Sequence, residues 1–311
     1  MHPNFFIVGA PKCGTTAWAE YLSEHPEIGI SKSKEPHYFN TDFPLFRWAK
    51  SLEEYHGFFS ECSDAKVIGE ASVQYLYSKS AARNIFEYCP HAKILIMLRS
   101  PGSFMRSYHN QLLVNCDESI KDLEQAWNLS GRRPEYSIPT ACREKSFLDY
   151  KAVGLFSEQV ARYYNCFPAA QIKVIFMEDW TRDPRALYLE LMSFLELRDN
   201  GRKDFPKVHE AKHAASRRLH HLTQRPPKSL KALLSVIRRV PGLRSFNPSR
   251  LIRAVNVQSG YNSSVNNELE KEIEAFFADD QKKLITLLNE RACVGLQQDP
   301  FQADSQRAGD L

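Results

Sequence analysis

A glycine-rich stretch near the start of the chain has residues suited to binding a phosphate group. GAPKCGTT, at positions 9–16, keeps the glycine spacing of a phosphate-binding P-loop, G-x-x-x-x-G-K-[ST], and has a hydroxyl at Thr16. Thr15 stands where that pattern has its lysine, and the lysine of this stretch is Lys12. A glycine-rich turn that opens a helix directs backbone N–H groups at an anion, and the helix dipole adds to the attraction. The stretch therefore predicts that Gly14, Thr15 and Thr16 bind a phosphate-like group.

The displaced lysine makes an ordinary nucleoside triphosphatase a weak interpretation. In a P-loop NTPase, the lysine beside the last glycine reaches the β- and γ-phosphates, and an aspartate at the end of an apolar strand helps to hold Mg²⁺. Here the strand KILIML ends in Arg99, and the strand KVIG leads to Glu70. Lys12, on the other limb of the loop, is placed to meet the oxygen between two transferable groups. A P-loop-type kinase or NTPase stays an alternative, as does a tight turn without a ligand.

A second candidate site follows the most apolar strand pattern in the chain. In LRSPGSFMRSYHN, at positions 98–110, Arg99 follows this strand, and Ser107 lies eight residues later, about two turns into the next helix. Ligands of open α/β sheets bind beyond the carboxyl ends of the strands. An arginine and a hydroxyl that converge there suit a second phosphate. The alternative is an arginine that caps a strand and a serine on a solvated helix face.

The elements that must position these residues alternate between apolar strands and helices. This alternation predicts an α/β fold with a P-loop-like central parallel β-sheet that is flanked by helices on both faces. The predicted strands are 5–8, 66–69, 92–98 and 172–176. The predicted helices are 16–23, 79–88, 103–113, 155–167, 184–195 and 269–288. We expect a single domain over residues 1–295, with a basic, partly irregular insertion at about 201–260 and a polar tail at 296–311.

The bulk composition is that of a globular protein without disulfides. The 311 residues are 43% hydrophobic and 25% charged, which are ordinary values. No apolar run approaches the length of a membrane span, and the N-terminus lacks the basic and apolar regions of a secretory signal. Seven widely spaced cysteines form no C-x-x-C pair, so neither a zinc site nor a disulfide framework is indicated. Scattered thiols of this kind are typical of a reducing cytoplasm.

The positive charge is concentrated in one part of the chain. The net charge is +4, yet residues 201–255 contain 14 lysines and arginines against Asp204 and Glu210. Such a block indicates contact with an anionic surface, and a non-catalytic module that docks on lipid or polysaccharide is an alternative function. A solvated surface would explain it equally well. The block lacks the interleaved aromatic residues of single-strand nucleic-acid binders, so we expect no nucleic-acid partner.

Together, the two motifs resemble those of a known enzyme family. PKCGTT and LRSPGSFMRSY are similar to the sulfotransferases that use 3′-phosphoadenosine 5′-phosphosulfate (PAPS). Their 5′-phosphosulfate loop reads P-K-[SCG]-G-T-T or a close variant, and their 3′-phosphate motif is an arginine at a strand end with a serine eight residues later. SKEPHYF, VIGEASVQYLYS, the stretch 148–168 and VIFMEDWTRDP resemble the glycan-type branch, which includes heparan sulfate sulfotransferases and bacterial relatives. The resemblance covers roughly residues 5–288.

The resemblance implies a reaction and a set of donor-binding residues. The family transfers a sulfonate from PAPS to a hydroxyl, less often an amine, and releases adenosine 3′,5′-bisphosphate without a metal. The acceptor would be a glycan, a glycolipid or another metabolite. Arg99 and Ser107 would hold the 3′-phosphate. The 5′-phosphosulfate would be held by Lys12, which meets the bridging oxygen, and by the rest of its loop, Cys13, Gly14, Thr15 and Thr16.

The same resemblance suggests a general base. Glu35 in SKEPHYF matches the glutamate that takes the acceptor proton in heparan sulfate enzymes. His37 is the rival, because sulfotransferases of small molecules use a histidine in a different sequence context. The chemistry itself permits either base. The alternative for Glu35 is a surface carboxylate paired with Lys32 or Lys34.

Acceptor-site residues are less sharply indicated. Glu70 and Ser72 follow the strand KVIG and are expected to face the cleft. Tyr150 and Phe156, together with the stretch 115–148, are expected to line the acceptor site.

Two departures from the family pattern concern the acceptor site and the lid, the segment that closes over PAPS. The lysine that several heparan sulfate enzymes place after their counterpart of Glu70 is Ala71 here. The family often closes over PAPS with a lysine or arginine before the last helix, but residues 258–267 contain no basic side chain. Arg217 or Arg218 is the candidate substitute. Golgi-resident relatives carry a membrane anchor, and its absence from this sequence predicts a cytoplasmic, bacterial enzyme.

Overall fold

A five-stranded parallel sheet organises the chain in the computed structural model, which describes residues 2–31, 35–206, 212–214, 257–259 and 267–297. The order across the sheet is β2-β3-β1-β4-β5, and every neighbouring pair is parallel. The strands are β1 (Phe5–Gly9), β2 (Ile28–Ile30), β3 (Val67–Ala71), β4 (Lys93–Leu98) and β5 (Ile172–Phe176).

The central strands are short apolar runs because both of their faces are covered. Every residue of β1 and β3 is buried, and in β4 only Lys93 is partly exposed. Parallel strands that are covered on both sides read as continuous apolar runs rather than as an alternating pattern. Glu70 departs from this rule, because it is a carboxylate inside the buried strand β3.

Helices flank the sheet, and those predicted from the sequence are present with shifted ends. None of the helices in the described ranges combines the length and apolarity that crossing a membrane requires. The helices are α1 (Thr15–Ser23), α2 (Leu52–Gly57), α3 (Ala81–Tyr88), α4 (Pro101–Asn115), α5 (Leu123–Asn128), α6 (Tyr150–Val153), α7 (Phe156–Tyr164), α8 (Met177–Arg182), α9 (Pro184–Phe194) and α10 (Asn267–Gln297). The predicted α/β architecture with a central parallel sheet is therefore confirmed. The sequence missed β2, which is a three-residue strand at the edge of the sheet.

The chain divides into two compact units. The first contains the described parts of Met1–Gly102, Val153–Pro206 and Lys271–Leu311, and it holds the five-stranded sheet. The second contains those of Ser103–Ala152 and Lys207–Glu270. It is largely helical and includes an antiparallel pair, β6 (Lys212–Ala214) and β7 (Val257–Ser259). The single domain over residues 1–295 stays a prediction, and most of the basic stretch 201–260 and the tail from 298 lie outside the described residues.

The connections of the sheet reverse direction between β1 and β4. β1 leads through α1 to β2 on one side of the sheet, whereas β4 leads to β5 on the other side. The two connections leave adjacent strands in opposite directions, and open α/β sheets bind ligands at such a point. The predicted phosphate loop follows β1 and Arg99 follows β4, so both lie at this point of the sheet.

Candidate active site

Four of the predicted site residues lie at the same end of the sheet, where the parallel strands finish. Lys12 follows β1, Glu35 follows β2, Glu70 lies near the end of β3, and Arg99 comes directly after β4. Because these strands are parallel, their carboxyl ends lie at the same end of the sheet. The topology therefore brings residues that are far apart in the sequence to the carboxyl end of the sheet in the first unit.

The phosphate loop makes a tight turn with two left-handed residues. Lys12 has a φ of 65° and Gly14 a φ of 87°. The backbone N–H of Ala10 donates to the carbonyl of Met97 in β4 at 2.6 Å, which ties the loop to the neighbouring strand. Residues with a side chain rarely adopt a left-handed conformation, and those that do concentrate at functional sites. The conformation of Lys12 is therefore consistent with a ligand-binding loop.

Helix α1 begins in a way that suits an anion. Its N-cap is Gly14, and no side chain caps this end of the helix. The first backbone N–H groups of a helix have no partner within the helix, and the dipole makes this end positive. Thr15 is buried in the first turn and Thr16 is partly exposed beside it. The loop and the start of α1 thus have a backbone geometry that suits a phosphate-like group, and binding by Gly14, Thr15 and Thr16 stays a prediction.

Trp180 packs against the loop at Gly14. A Cβ atom added to Gly14 would lie 2.6 Å from Cζ2 of Trp180, which is too close for any real side chain. The Trp180 ring also contacts Trp18 of α1 edge-on, with ring centroids 5.9 Å apart. Glycine is required at position 14 for two reasons, the left-handed backbone and the neighbouring indole.

We expect the Gly14→Ala substitution to lower the free energy of unfolding by about 2–4 kcal/mol, because it adds a steric clash to an unfavourable backbone conformation. Gly201→Ala is the matched control, since Gly201 has a similar φ of 80° but no atom within 4 Å of an added Cβ. That variant should lose only about 1 kcal/mol. Urea denaturation of both variants measures the difference, and equal losses would show that Trp180 does not confine the loop.

The thiol of Cys13 is enclosed within the loop. Its side chain is buried, and its Sγ donates to the carbonyl of Pro11 at 3.5 Å. Burial raises the pKa of the Cys13 thiol far above its ordinary value, although the nearby positive charge of Arg99 opposes the shift. The thiol therefore stays neutral, and what Cys13 offers an anion is its backbone N–H.

Two residues after β5 belong to this site and were not identified from the sequence. Glu178 accepts a hydrogen bond from the backbone N–H of Ser100 at 3.0 Å, next to Arg99, and Trp180 confines Gly14. Both follow the predicted strand IKVIF, and a position at a strand end was the signal that could have found them. Ser107 lies in α4, in the second unit, and is partly exposed. Its convergence with Arg99 stays a prediction.

The two candidate bases are neighbours with different exposure. The Glu35 side chain is 29% exposed, whereas the His37 side chain is fully enclosed. His37 Nε2 lies 3.3 Å from a carboxylate oxygen of Glu35. Both residues have left-handed backbones, with φ values of 66° and 50°. Lys32 and Lys34, the alternative partners of Glu35, lie outside the described residues.

Glu70 and Ser72 are enclosed rather than open to a cleft. Both are 0% exposed, which differs from the sequence-based expectation that they face the acceptor. Glu70 accepts hydrogen bonds from Tyr55 at 2.7 Å, Ser72 at 2.5 Å and Tyr75 at 3.1 Å. Burial raises the pKa of the Glu70 carboxyl to about 7, although these three hydroxyls oppose the shift. The difference arises because Tyr55 of α2, together with Ser72 and Tyr75 after β3, surrounds the carboxylate at this strand end.

Tyr150 and Phe156, which were expected to line the acceptor site, are also buried, whereas most of the stretch 115–148 is at least partly exposed. Phe156 is 5% exposed at the start of α7. Tyr150 is 0% exposed, and its hydroxyl donates to Glu118 at 3.1 Å and contacts His109 Nδ1 at 2.8 Å. Glu118 in turn binds Arg133 through both of its oxygens.

The remaining candidates concern the lid and a metal site. Arg217, Arg218 and residues 260–266 lie outside the described residues. Where the structure describes the chain, no three histidine, cysteine, aspartate or glutamate side chains are grouped so that they could hold a metal ion.

Comparison with known proteins identifies the family. The sulfotransferase domain family matches residues 2–233. A crystal structure of a sulfotransferase from Alicyclobacillus acidocaldarius is 30% identical, covers 77% of this chain and 97% of that chain, and superimposes with a TM-score of 0.59.

Two curated relatives are more distant. The membrane-associated sulfotransferase kil1 of Dictyostelium discoideum is 25% identical over 268 residues, which are 63% of this chain and 56% of kil1. Heparan sulfate glucosamine 3-O-sulfotransferase 6 of Mus musculus is 24% identical over 218 residues, which are 67% of this chain and 59% of that enzyme. The chain thus spans little more than half the length of these two relatives. The family match covers most of the chain, including the phosphate loop and all five strands of the parallel sheet. The chain therefore belongs to the sulfotransferase domain family.

Proposed function

We propose that this chain transfers a sulfonate group from PAPS to a hydroxyl of a glycan, a glycolipid or another metabolite. The observation that carries the proposal is the loop before α1, in which left-handed Lys12 and Gly14 precede an uncapped helix start. This loop lies at the same end of the parallel sheet as Arg99 and Glu35. The sulfotransferases among the relatives support the same chemistry.

The donor site would use the loop and the end of β4. PAPS, when bound, supplies the sulfonate, and the acceptor oxygen forms a bond to sulfur as the bond from sulfur to the 5′-phosphate oxygen breaks. Lys12 would neutralise the charge that develops on the leaving phosphate, and the N–H groups of Gly14, Thr15 and Thr16 would hold the group in place. Arg99, with Ser107, would bind the 3′-phosphate, which would favour PAPS over ATP.

Glu35 is the proposed general base. A base must come within about 3 Å of the acceptor hydroxyl, so its side chain must be accessible. The carboxylate of Glu35 is partly exposed, whereas His37 is enclosed and its Nε2 faces Glu35. We infer that Glu35 takes the proton directly and that His37 acts on the acceptor only through Glu35.

The acceptor class and the cellular setting form the less specific part of the proposal. The name of the mouse relative specifies 3-O-sulfation of glucosamine in heparan sulfate, which favours a sugar hydroxyl as the acceptor here as well. All described cysteines are free thiols, and scattered thiols suit a reducing cytoplasm. The basic stretch 201–255 would contact an anionic surface, which co-sedimentation with anionic vesicles at low and high salt would measure.

Nucleotide binding gives the most direct test. We expect the wild-type protein to bind adenosine 3′,5′-bisphosphate in calorimetry, and the Arg99→Ala variant to bind it about 10- to 100-fold more weakly, because a charge-assisted hydrogen-bonded contact is lost. Arg83→Ala is the matched control, since Arg83 is exposed and pairs only with exposed Glu87 among the contacts described. Its affinity should equal that of the wild-type protein.

Two outcomes would contradict the proposal. The first is no binding at millimolar nucleotide, and the second is an undiminished affinity in Arg99→Ala. Transfer of labelled sulfonate to a panel of sugar and phenol acceptors identifies the acceptor class. ATP hydrolysis that stops when Mg²⁺ is chelated would instead favour the kinase or NTPase alternative.

A further inference from the structure

Glu70 is a buried carboxylate whose hydrogen bonds lead to the segment that carries the proposed base. Its side chain is 0% exposed, and its three described partners are the neutral hydroxyls of Tyr55, Ser72 and Tyr75. Burying a carboxylate without a positive charge beside it is costly, and an apolar residue would suit the interior of β3 better. This cost indicates a role for Glu70 beyond packing.

Two of these three hydroxyls also bind the backbone of residues 37–39. The Ser72 hydroxyl accepts the N–H of His37 at 3.0 Å. The Tyr75 hydroxyl accepts the N–H groups of Tyr38 at 2.8 Å and of Phe39 at 3.2 Å. The Ser72 and Tyr75 hydroxyls each have one proton, and both donate it to Glu70. Their lone pairs are therefore left to accept the backbone N–H groups. Glu70 therefore sets the orientation of both anchors.

The segment that these anchors hold is strained. Glu35 and His37 both have left-handed backbones, with φ values of 66° and 50°. Residues with a Cβ atom keep such conformations only where their surroundings enforce them. The turn that presents Glu35 is thus held in part by the hydrogen bonds on its C-terminal side.

We propose that Glu70 is a positioning residue for sulfonate transfer: through Ser72 and Tyr75 it fixes the backbone of residues 37–39 and so the placement of Glu35. This role rests on the proposed function, since it assumes that Glu35 is the base. Glu70 is enclosed and does not reach the acceptor itself. It acts by holding the turn in the geometry that proton transfer requires.

The protonation state of Glu70 gives this role a pH signature. The ionised carboxylate accepts all three hydroxyls, whereas a protonated one must donate, so at least one hydroxyl has to turn away. Burial raises the pKa of Glu70 to about 7, so the anchors should weaken, and transfer should slow, as the pH falls through about 7. Among the described residues, the titratable groups that interact electrostatically with Glu70 are Tyr55 of α2, Tyr88 of α3, Tyr163 of α7, and Tyr75 and Glu35 of the adjoining loops.

The test compares three single substitutions in the full chain. Glu70→Gln keeps the size of the side chain but cannot ionise. Tyr75→Phe keeps Glu70 and removes the hydroxyl that binds the N–H groups of Tyr38 and Phe39. Tyr55→Phe is the matched control, because it also removes a hydroxyl from Glu70, yet in the described structure that hydroxyl binds no backbone group of residues 37–39.

We expect Glu70→Gln and Tyr75→Phe to lower kcat for sulfonate transfer about 10- to 100-fold, the cost of a displaced catalytic group. Their affinity for adenosine 3′,5′-bisphosphate should stay within about twofold, because the phosphate loop is unchanged. Amide hydrogen exchange in residues 37–39 should become about tenfold faster in both variants, a readout that does not depend on turnover. The acid limb near pH 7 should be absent in Glu70→Gln. Well above pH 7, where Glu70 is ionised, Tyr55→Phe should match the wild-type protein in kcat, exchange and affinity. Its acid limb should move to higher pH, because the Tyr55 hydroxyl lowers the pKa of Glu70.

Several outcomes would overturn this role. They are a wild-type kcat in Glu70→Gln and Tyr75→Phe, an unchanged acid limb in Glu70→Gln, or a parallel loss of kcat and nucleotide affinity. If Glu70→Gln does not fold, Tyr75→Phe decides the question with the same readouts. A wild-type protein that neither binds the nucleotide nor transfers sulfonate would contradict the proposed function itself. An active wild-type protein with unaffected variants would contradict only the role of Glu70.

Discussion

The Glu35→Gln variant should transfer sulfonate about 10²- to 10⁴-fold more slowly than the wild-type protein at saturating substrates, because it loses a general base. Glutamine keeps the shape of the side chain, but its amide cannot take the acceptor proton near neutral pH. The partly exposed carboxylate of Glu35 makes it the group of the pair that can reach an acceptor, since His37 is enclosed. The loss should therefore fall on kcat, while the affinity for adenosine 3′,5′-bisphosphate stays near the wild-type value. Single-turnover transfer with labelled donor measures the chemical step.

Two further variants make this result specific. Glu87→Gln is the control, since Glu87 is exposed and its described partner is the exposed Arg83, and its rate should be unchanged. His37→Gln tests the rival base. A Glu35→Gln variant that keeps its rate, together with a His37→Gln variant that loses it, would assign proton transfer to His37 and contradict the role proposed for Glu35.

The Lys12→Met variant should lose about 10²- to 10³-fold in kcat, the usual cost of removing one group that stabilises charge in the transition state. Methionine keeps the length of the side chain and removes only the ammonium group. The left-handed backbone of Lys12 places this residue inside the turn before α1, where charge on the leaving phosphate would develop. The affinity for adenosine 3′,5′-bisphosphate should fall less than kcat, since the loop amides and Arg99 still bind the phosphates.

The control for this variant is Lys282→Met. Lys282 is largely exposed on α10, and its described ion pair is with Asp279 one turn away. This substitution should leave kcat unchanged. A Lys12→Met variant that turns over at the wild-type rate would show that the lysine of GAPKCGTT does not act on the leaving group, and the loop would then be a binding site only.

The phosphate loop could be predicted from the sequence because its structure depends on neighbours in the chain. Gly14 adopts a left-handed conformation that glycine favours, and helix α1 starts at the next residue. The apolar runs that became β1, β4 and β5 were equally clear, since buried parallel strands have a continuous apolar pattern. The edge strand β2 has only three residues, too few for such a pattern to stand out.

The environment of the site residues could not be predicted in the same way. Glu70 was expected to face a cleft, and its burial follows from Tyr55 of α2 and from Ser72 and Tyr75, which close over it. Trp180 meets Gly14 although 166 positions separate them in the sequence. Periodicity and motif spacing describe segments one at a time, and they do not specify which segments meet.

The sequence by itself determined the family resemblance and four of the five strands of the parallel sheet, and it predicted which residues would bind a phosphosulfate. Only the tertiary structure decided that Glu35 is accessible while His37 is enclosed. It also decided that the two hydroxyls after β3 that donate to Glu70 accept the backbone N–H groups of residues 37–39. The physical reason lies in the range of the interactions. Steric and hydrogen-bond preferences of the backbone act over a few residues, whereas burial and the partners of a carboxylate depend on segments that meet only after folding.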